Sequence, residues 1–437
     1  MSIITVAKSG NADYTTIKKA IENAQPGDKI TVHPGLYKES LVIYKPLEIS
    51  GGGVAEETII ESDYAPCILM KTDSAKVSGF SLRKLVGEED NQYPAVDISQ
   101  GDLVLEDCDI TSKSSDSISI YGSNTNPVIR RCRIFDSKES GIWIKDNGKG
   151  IVEDCDIYQN NQPGIAISKE SNPIIRECRI FDGEHTGILV EDNSQGTIEN
   201  CHIYNNSYSG IGIGNESNPV IRGCRIFDGK NTGILLKEKS QGTIENCDIY
   251  NNTAPGIVIS GESNLIIRES RIFDGKINGI CFKEKSQGII ENCDVYRNSY
   301  PGIGIDNESN PTIRECRIFD GKTNGISLKN SEAIIENCDI YRNSYPGIYV
   351  GNESNPTIRE CRIFDGKQSG ISIKDNSQST IENCDIYNNA DPGIAIENAS
   401  NPLIRECRIF DGKSVGISIK DNSRVNINKY NIINTSN

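Results

Sequence analysis

One cysteine returns with a fixed step. Cys132, Cys155, Cys178, Cys201, Cys224 and Cys247 stand 23 residues apart, and thirteen of the fifteen cysteines share this repeat position. A constant step means one small structural unit stacked on copies of itself, which allows a single solenoid of any length. Each unit carries two short apolar strings, Ile-x-x-Cys-x-Ile and Gly-Ile-x-Ile. Both alternate with period two, the mark of short half-buried strands. Asp-Gly, Asn-Asn, Pro-Gly and Asp-Asn-Ser separate them, and these are turn formers. The step is too long for hexapeptide solenoids, and the turns are too short for leucine-rich repeats. The pattern predicts an all-β, three-faced parallel β-helix with coils about 4.8 Å apart.

The true period is two coils. Asn-Pro recurs at Asn126, Asn172, Asn218, Asn310, Asn355 and Asn401, mostly 46 residues apart. Two positions before the cysteine the chain alternates Arg130, Glu153, Arg176, Glu199 and onward; just after it, Arg133, Asp156, Arg179, His202, Arg225 and Asp248. Stacked coils would place identical charges about 4.8 Å apart, a repulsion of roughly 1 kcal/mol even in water. Alternation turns that repulsion into ladders of ion pairs. A third column alternates Phe135, Tyr158, Phe181 and Tyr204 as an aromatic stack.

Thirteen equivalent cysteines without any Cys-x-x-Cys pair read as a column of buried thiols, with neither disulfide nor metal. No stretch approaches the roughly 18–20 apolar residues that cross a bilayer, and no secretory leader is evident at the start, so a cytoplasmic location is expected. The net charge of −15 disfavours nucleic acid and anionic membranes as partners.

Residues 1–29 read as an N-terminal cap, with a short helix beginning near Asp13 to Thr16 and ending before Pro26. Residues 30–97 read as irregular coils, 98–430 as the regular double repeat, and 431–437 as a tail. The C-terminal end shows no cap, so a homodimer through that end is one expectation.

Asp13-Tyr14-Thr15-Thr16-Ile17, Pro34-Gly35-Leu36-Tyr37-Lys38-Glu39 and Leu47-Glu48-Ile49 resemble the N-terminal region of pectin methylesterases. The rest is similar to the carbohydrate-binding and sugar-hydrolase (CASH) or parallel β-helix repeats of polysaccharide lyases, epimerases, copper-processing proteins and F-box ubiquitin-ligase subunits. The resemblance implies a right-handed, pectin-lyase-like helix. It does not supply chemistry: Gln92-Tyr93-Pro94-Ala95-Val96 is a faint echo of one esterase motif, the others are missing, and the epimerase string Asp-Pro-His-Glu is absent.

Departures from the repeat are where function is sought. Tyr208, Tyr300 and Tyr345 share one turn position, and Arg297 and Arg342 stand nearby in place of Asn or Gln. Tyrosines about 10 Å apart could stack on alternate sugars or anchor a protein. The leading expectation is a non-catalytic scaffold that binds a protein or neutral glycan along one face, with no cofactor. The alternative is a polysaccharide lyase, esterase or epimerase, with Asp90, Asp97, Asp107, Asp109 and Asp116 converging in a cleft. His185, His202, Ser270 and Cys281 also break the pattern.

Overall fold

A computed structural model describes residues 2–87 and 92–428, together with the backbone of Asn431–Ile433. It divides into two compact units, Met1–Gly212 with Glu216–Arg225, and Ile213–Asn215 with Ile226–Asn437. Both are parallel β-solenoids whose coils each give one short strand to each of three sheets.

In the first unit, one coil runs through Ile151–Glu153 in the first sheet, Asp156–Tyr158 in the second and Ile165–Ile167 in the third. Each strand pairs with its equivalent one coil on. Val152 faces Ile175 and Ile175 faces Ile198; Ile157 faces Ile180; Ile144 faces Ile167. In the second unit Ile267, Ile290 and Ile313 align in the same way, as do Ile280, Ile303 and Ile326. These residues are fully buried. The in-register column is what lets three-residue strands persist, because each borrows its hydrogen bonds and apolar contacts from the coils on either side.

A single left-handed residue turns the chain from the first sheet to the second. Asp154, Glu177 and Asn200 hold φ of 51°, 56° and 54°, a region where Asn, Asp and Gly are favoured. The next residue is the ladder cysteine. Its thiol donates back to the carbonyl two residues earlier and faces a carbonyl of the previous coil, as Cys316 does to Arg314 (3.1 Å) and Ile290 (3.6 Å). All fifteen cysteines are buried, and none is in a disulfide. Ser270 keeps this geometry, accepting from the Cys247 amide (3.1 Å) and donating to the Arg268 carbonyl (2.7 Å). Cys281 instead lies outward in the third sheet beneath other side chains, and Phe282 beside it points into the core.

The charge ladders form as the spacing demands. Arg271 grips Asp248 through Nε and Nη2 at 2.7 and 2.6 Å, and Arg222 reaches Glu199 at 2.7 Å. The aromatic column stacks face to face, Phe273 on Tyr296 at 4.9 Å and 2°. A further ladder lies inside. Asn298 accepts from the Gly275 amide (3.0 Å) and donates to the Ile272 carbonyl (3.2 Å), and Asn206, Asn252, Asn343 and Asn389 do likewise.

The N-terminal helix, Ile17–Asn23, is capped by the Thr16 hydroxyl and by Glu39, which accepts from the amides of Ile17 (3.2 Å) and Lys18 (2.9 Å). Its buried Ile17, Ala20 and Ile21 pack against the strands Ile3–Val6 and Leu41–Ile43.

Candidate functional site

The third sheet turns two of every three side chains inward, so the middle residue of each strand decides what its outer face looks like. In the second unit this column runs Gly304, Ser327, Tyr349, Ser372, Ala395 and Ser418, each aligned with the next. Apart from Tyr349 these are small residues, and from Ser327 onward the column forms the floor of a groove of about 860 Å³. Tyr300 and Tyr345 stand on one wall, and Lys329, Lys374 and Lys420 on the other. The two wall tyrosines are 53% and 49% exposed.

The lysine wall is partly tied. Glu397 bridges Lys374 (2.8 Å) and Lys420 (3.6 Å). The hydrogen bond with Glu397 raises the Lys374 ammonium above its ordinary value and lowers the Glu397 carboxyl. Tyr349 rises from the floor, with its hydroxyl 3.5 Å from Asp375, and burial followed by that carboxylate pushes its pKa up. The result is a trough with aromatic faces on one side, hydroxyls below and ammonium groups opposite, a surface suited to a polyhydroxylated chain.

The structure brings Tyr300 and Tyr345 into this one groove and places their arginine neighbours elsewhere. Arg297 and Arg342 occupy left-handed corners, φ 52° and 51°, ahead of the tyrosines. They grip the corner residues one coil back, Asp274 and Asp320, and lie over Tyr296 (4.8 Å) and Tyr341 (4.6 Å) of the aromatic column. Tyr208 belongs to the first unit, where it stacks on His185 at 4.6 Å.

Of the five acids, Asp90 lies outside the described residues. Asp107 is held by Arg131 (2.8 Å), and Asp109 by Arg133 (2.6 Å). Asp97 and Asp116 instead share a polar cluster on the third sheet of the first unit, with Tyr121 and Lys145. Asp97 aligns with Ser119 and Trp143, and Tyr121 with Lys145. The Lys145 ammonium lies 3.4 Å from the centre of a Trp143 ring. Burial raises both carboxyls, Asp116 to about 6, despite the Ser140 amide donating to it at 3.0 Å. Burial also lowers Lys145. One Asp97 oxygen is shielded from solvent with no hydrogen-bond partner. Among the described residues no group of three or more His, Cys, Asp or Glu is placed to hold a metal ion, and no helix is long and apolar enough to cross a membrane.

The Right handed beta helix region family matches residues 66–219, 209–334 and 319–437. The chain belongs to that family. A stretch of 78 residues is 34% identical to F-box protein dre-1 of Caenorhabditis elegans, covering 17% of this chain and 8% of that protein. The chain therefore spans a small part of the length of that relative. Among solved structures, the periplasmic alginate epimerase AlgG matches at 14% identity over 91% of this chain and 79% of its own, with a TM-score of 0.39. The pectate lyase Pel9A matches at 12% identity over 67% and 76%, with a TM-score of 0.38.

Proposed function

We propose that the protein is a non-catalytic β-helix scaffold that binds an extended neutral glycan along the outer face of its third sheet. The observation that carries this reading is the pair Tyr300 and Tyr345, exposed on one wall above a floor of small residues. Two coils separate them, about 10 Å, so each ring could stack on alternate pyranoses of one chain. Ser327, Ser372 and Ser418 below, with Lys329 and Lys374 opposite, supply donors and acceptors for the hydroxyls. A net charge of −15 repels uniformly anionic polymers over distances up to the Debye length and favours neutral ones. Calorimetry against a panel of neutral oligosaccharides should find a binder. Tyr300→Ala/Tyr345→Ala should then weaken it about tenfold or more, as expected for aromatic anchors. Undiminished binding by that double variant, or a panel without hits, overturns the reading.

A second reading is favoured by Asp97, Asp116, Tyr121 and Lys145, because burial moves both acids and the lysine toward neutrality around one spot. In that reading the chain is a polysaccharide-active enzyme. Release of new chain ends from a mixed polysaccharide pool, abolished by Asp97→Asn, would select it over pure binding.

A further inference from the structure

In the second sheet six ladder arginines reach back one coil for an aspartate. Arg133 holds Asp109, Arg179 holds Asp156, Arg271 holds Asp248, Arg317 holds Asp294, Arg362 holds Asp339 and Arg408 holds Asp385. In each, Nε and Nη2 engage the two carboxylate oxygens side by side. The corner thus binds an oxyanion in the same geometry again and again.

At one step the ladder lacks its acid. His202 stands where the aspartate belongs. The Arg225 amide still donates to the Cys201 carbonyl at 2.9 Å, as the Arg179 amide does to Cys155, so Arg225 starts from the usual place. Its guanidinium has no ion pair among the described residues. A second departure falls in the same coil. The corner residue is Glu177, Glu269, Glu315, Glu360 or Glu406 in five of the six other arginine coils and Arg131 in the sixth, and here it is Gly223. The corner stays left-handed at φ 63°, and the Asn200 side chain lies over it, so that a Cβ on Gly223 would clash with Asn200 Oδ1. Two carboxylates that the repeat would supply are therefore missing around one arginine. Arg179, Asn200 and His202 line the end of an adjoining cleft of about 520 Å³. The electrostatics agree: burial, then Arg225 and Arg179, push the His202 imidazole below its ordinary pKa.

We propose that Arg225, with His202 and Asn200 beside it, is a binding site for an oxyanion group: phosphate, sulfate or carboxylate on a small ligand. A guanidinium is permanently charged and offers a planar fork of donors that matches such a group in two parallel hydrogen bonds. Elsewhere in the ladder an aspartate of the chain itself fills that fork. Here the imidazole replaces the acid and adds a donor, and the Asn200 carboxamide adds another.

The chain has three histidines, His33, His185 and His202, so their ring protons can be followed one by one by NMR. At fixed pH, titration with sulfate and separately with glucose 6-phosphate should shift the His202 signals saturably while those of His33 and His185 hold still. A response to sulfate marks a site for the free anion, and a response to the sugar phosphate alone marks one that also reads its carrier. Arg225→Gln should remove the shift. His202→Asp rebuilds the ladder pair, so the fold should be kept or strengthened while calorimetry shows saturable anion binding lost. Absence of a saturable His202 shift with either ligand, persistence of the shift in Arg225→Gln, or equal binding by His202→Asp would each overturn the assignment.

Discussion

Asp116 is 5% exposed, and although it accepts the Ser140 amide, burial lifts its carboxyl from 3.8 to about 6. A carboxyl with a raised pKa in the fold favours folding in its neutral form. Its contribution is therefore complete below the unfolded value and is lost as pH rises through about 4 to 6. Asp116→Asn keeps an acceptor for Ser140 without the charge. It should raise stability by on the order of 2 kcal/mol at pH 7 and change little at pH 3. Urea unfolding at the two pH values measures this, and an equal effect at both would show that the charge plays no part. Asn298 presents the opposite case, a buried group whose partners are all inside. Asn298→Ala strands the Gly275 amide and the Ile272 carbonyl. It should cost about 1–3 kcal/mol, well above the cost of the same change at exposed Asn251.

Between coils, the charge ladders do more to set the register than to add stability. Arg317 sits between Asp294 and Asp339. Arg317→Gln loses one exposed pair and should cost about 0.2–1 kcal/mol. Arg317→Asp instead stacks three carboxylates and should cost roughly 1 kcal/mol more. Added salt should shrink the difference between the two variants; a salt-independent difference would point to packing rather than repulsion. Much of this element was legible in the sequence. An alternating charge at a fixed step makes sense only if neighbouring coils overlie one another, so step and sign together specify the stack. The inner asparagine ladder escaped that reading. In Asn-Asn pairs such as Asn205 and Asn206 both residues look like turn chemistry, and only the fold shows that Asn205 bonds Asp182 outside while Asn206 faces the core. The groove escaped for a related reason. Its floor of Ser327, Ser372 and Ser418 occupies the one strand position with no alternation, where small size is the only signal. Tyr300 and Tyr345 could be picked out because they break a turn pattern. Arg297 and Arg342 precede them by three residues, but the left-handed corner they occupy keeps them with the sheet before it.

At the scale of the whole chain, a repeat protein has no single centre whose loss unfolds everything, so stability varies from coil to coil. In the second unit the third-sheet strands Ile371–Ile373 and Ile394–Ile396 are buried throughout, whereas Ile417–Ile419 is half-exposed or exposed at every position. The last coils thus have fewer apolar contacts opposing their release. The thiol column reports on this directly, because buried thiols react only when their coil opens. In native buffer none of the fifteen cysteines should label with N-ethylmaleimide, and all should label in strong denaturant. In mild urea, a brief pulse read by peptide mass spectrometry should label Cys407 first, then Cys384 and Cys361, with Cys293 and Cys316 protected longest. A gradient of that kind means the unit unravels coil by coil from its exposed side. Simultaneous labelling of all five would instead mean that the unit opens as one cooperative block, with neighbouring coils bound too tightly for any to leave alone.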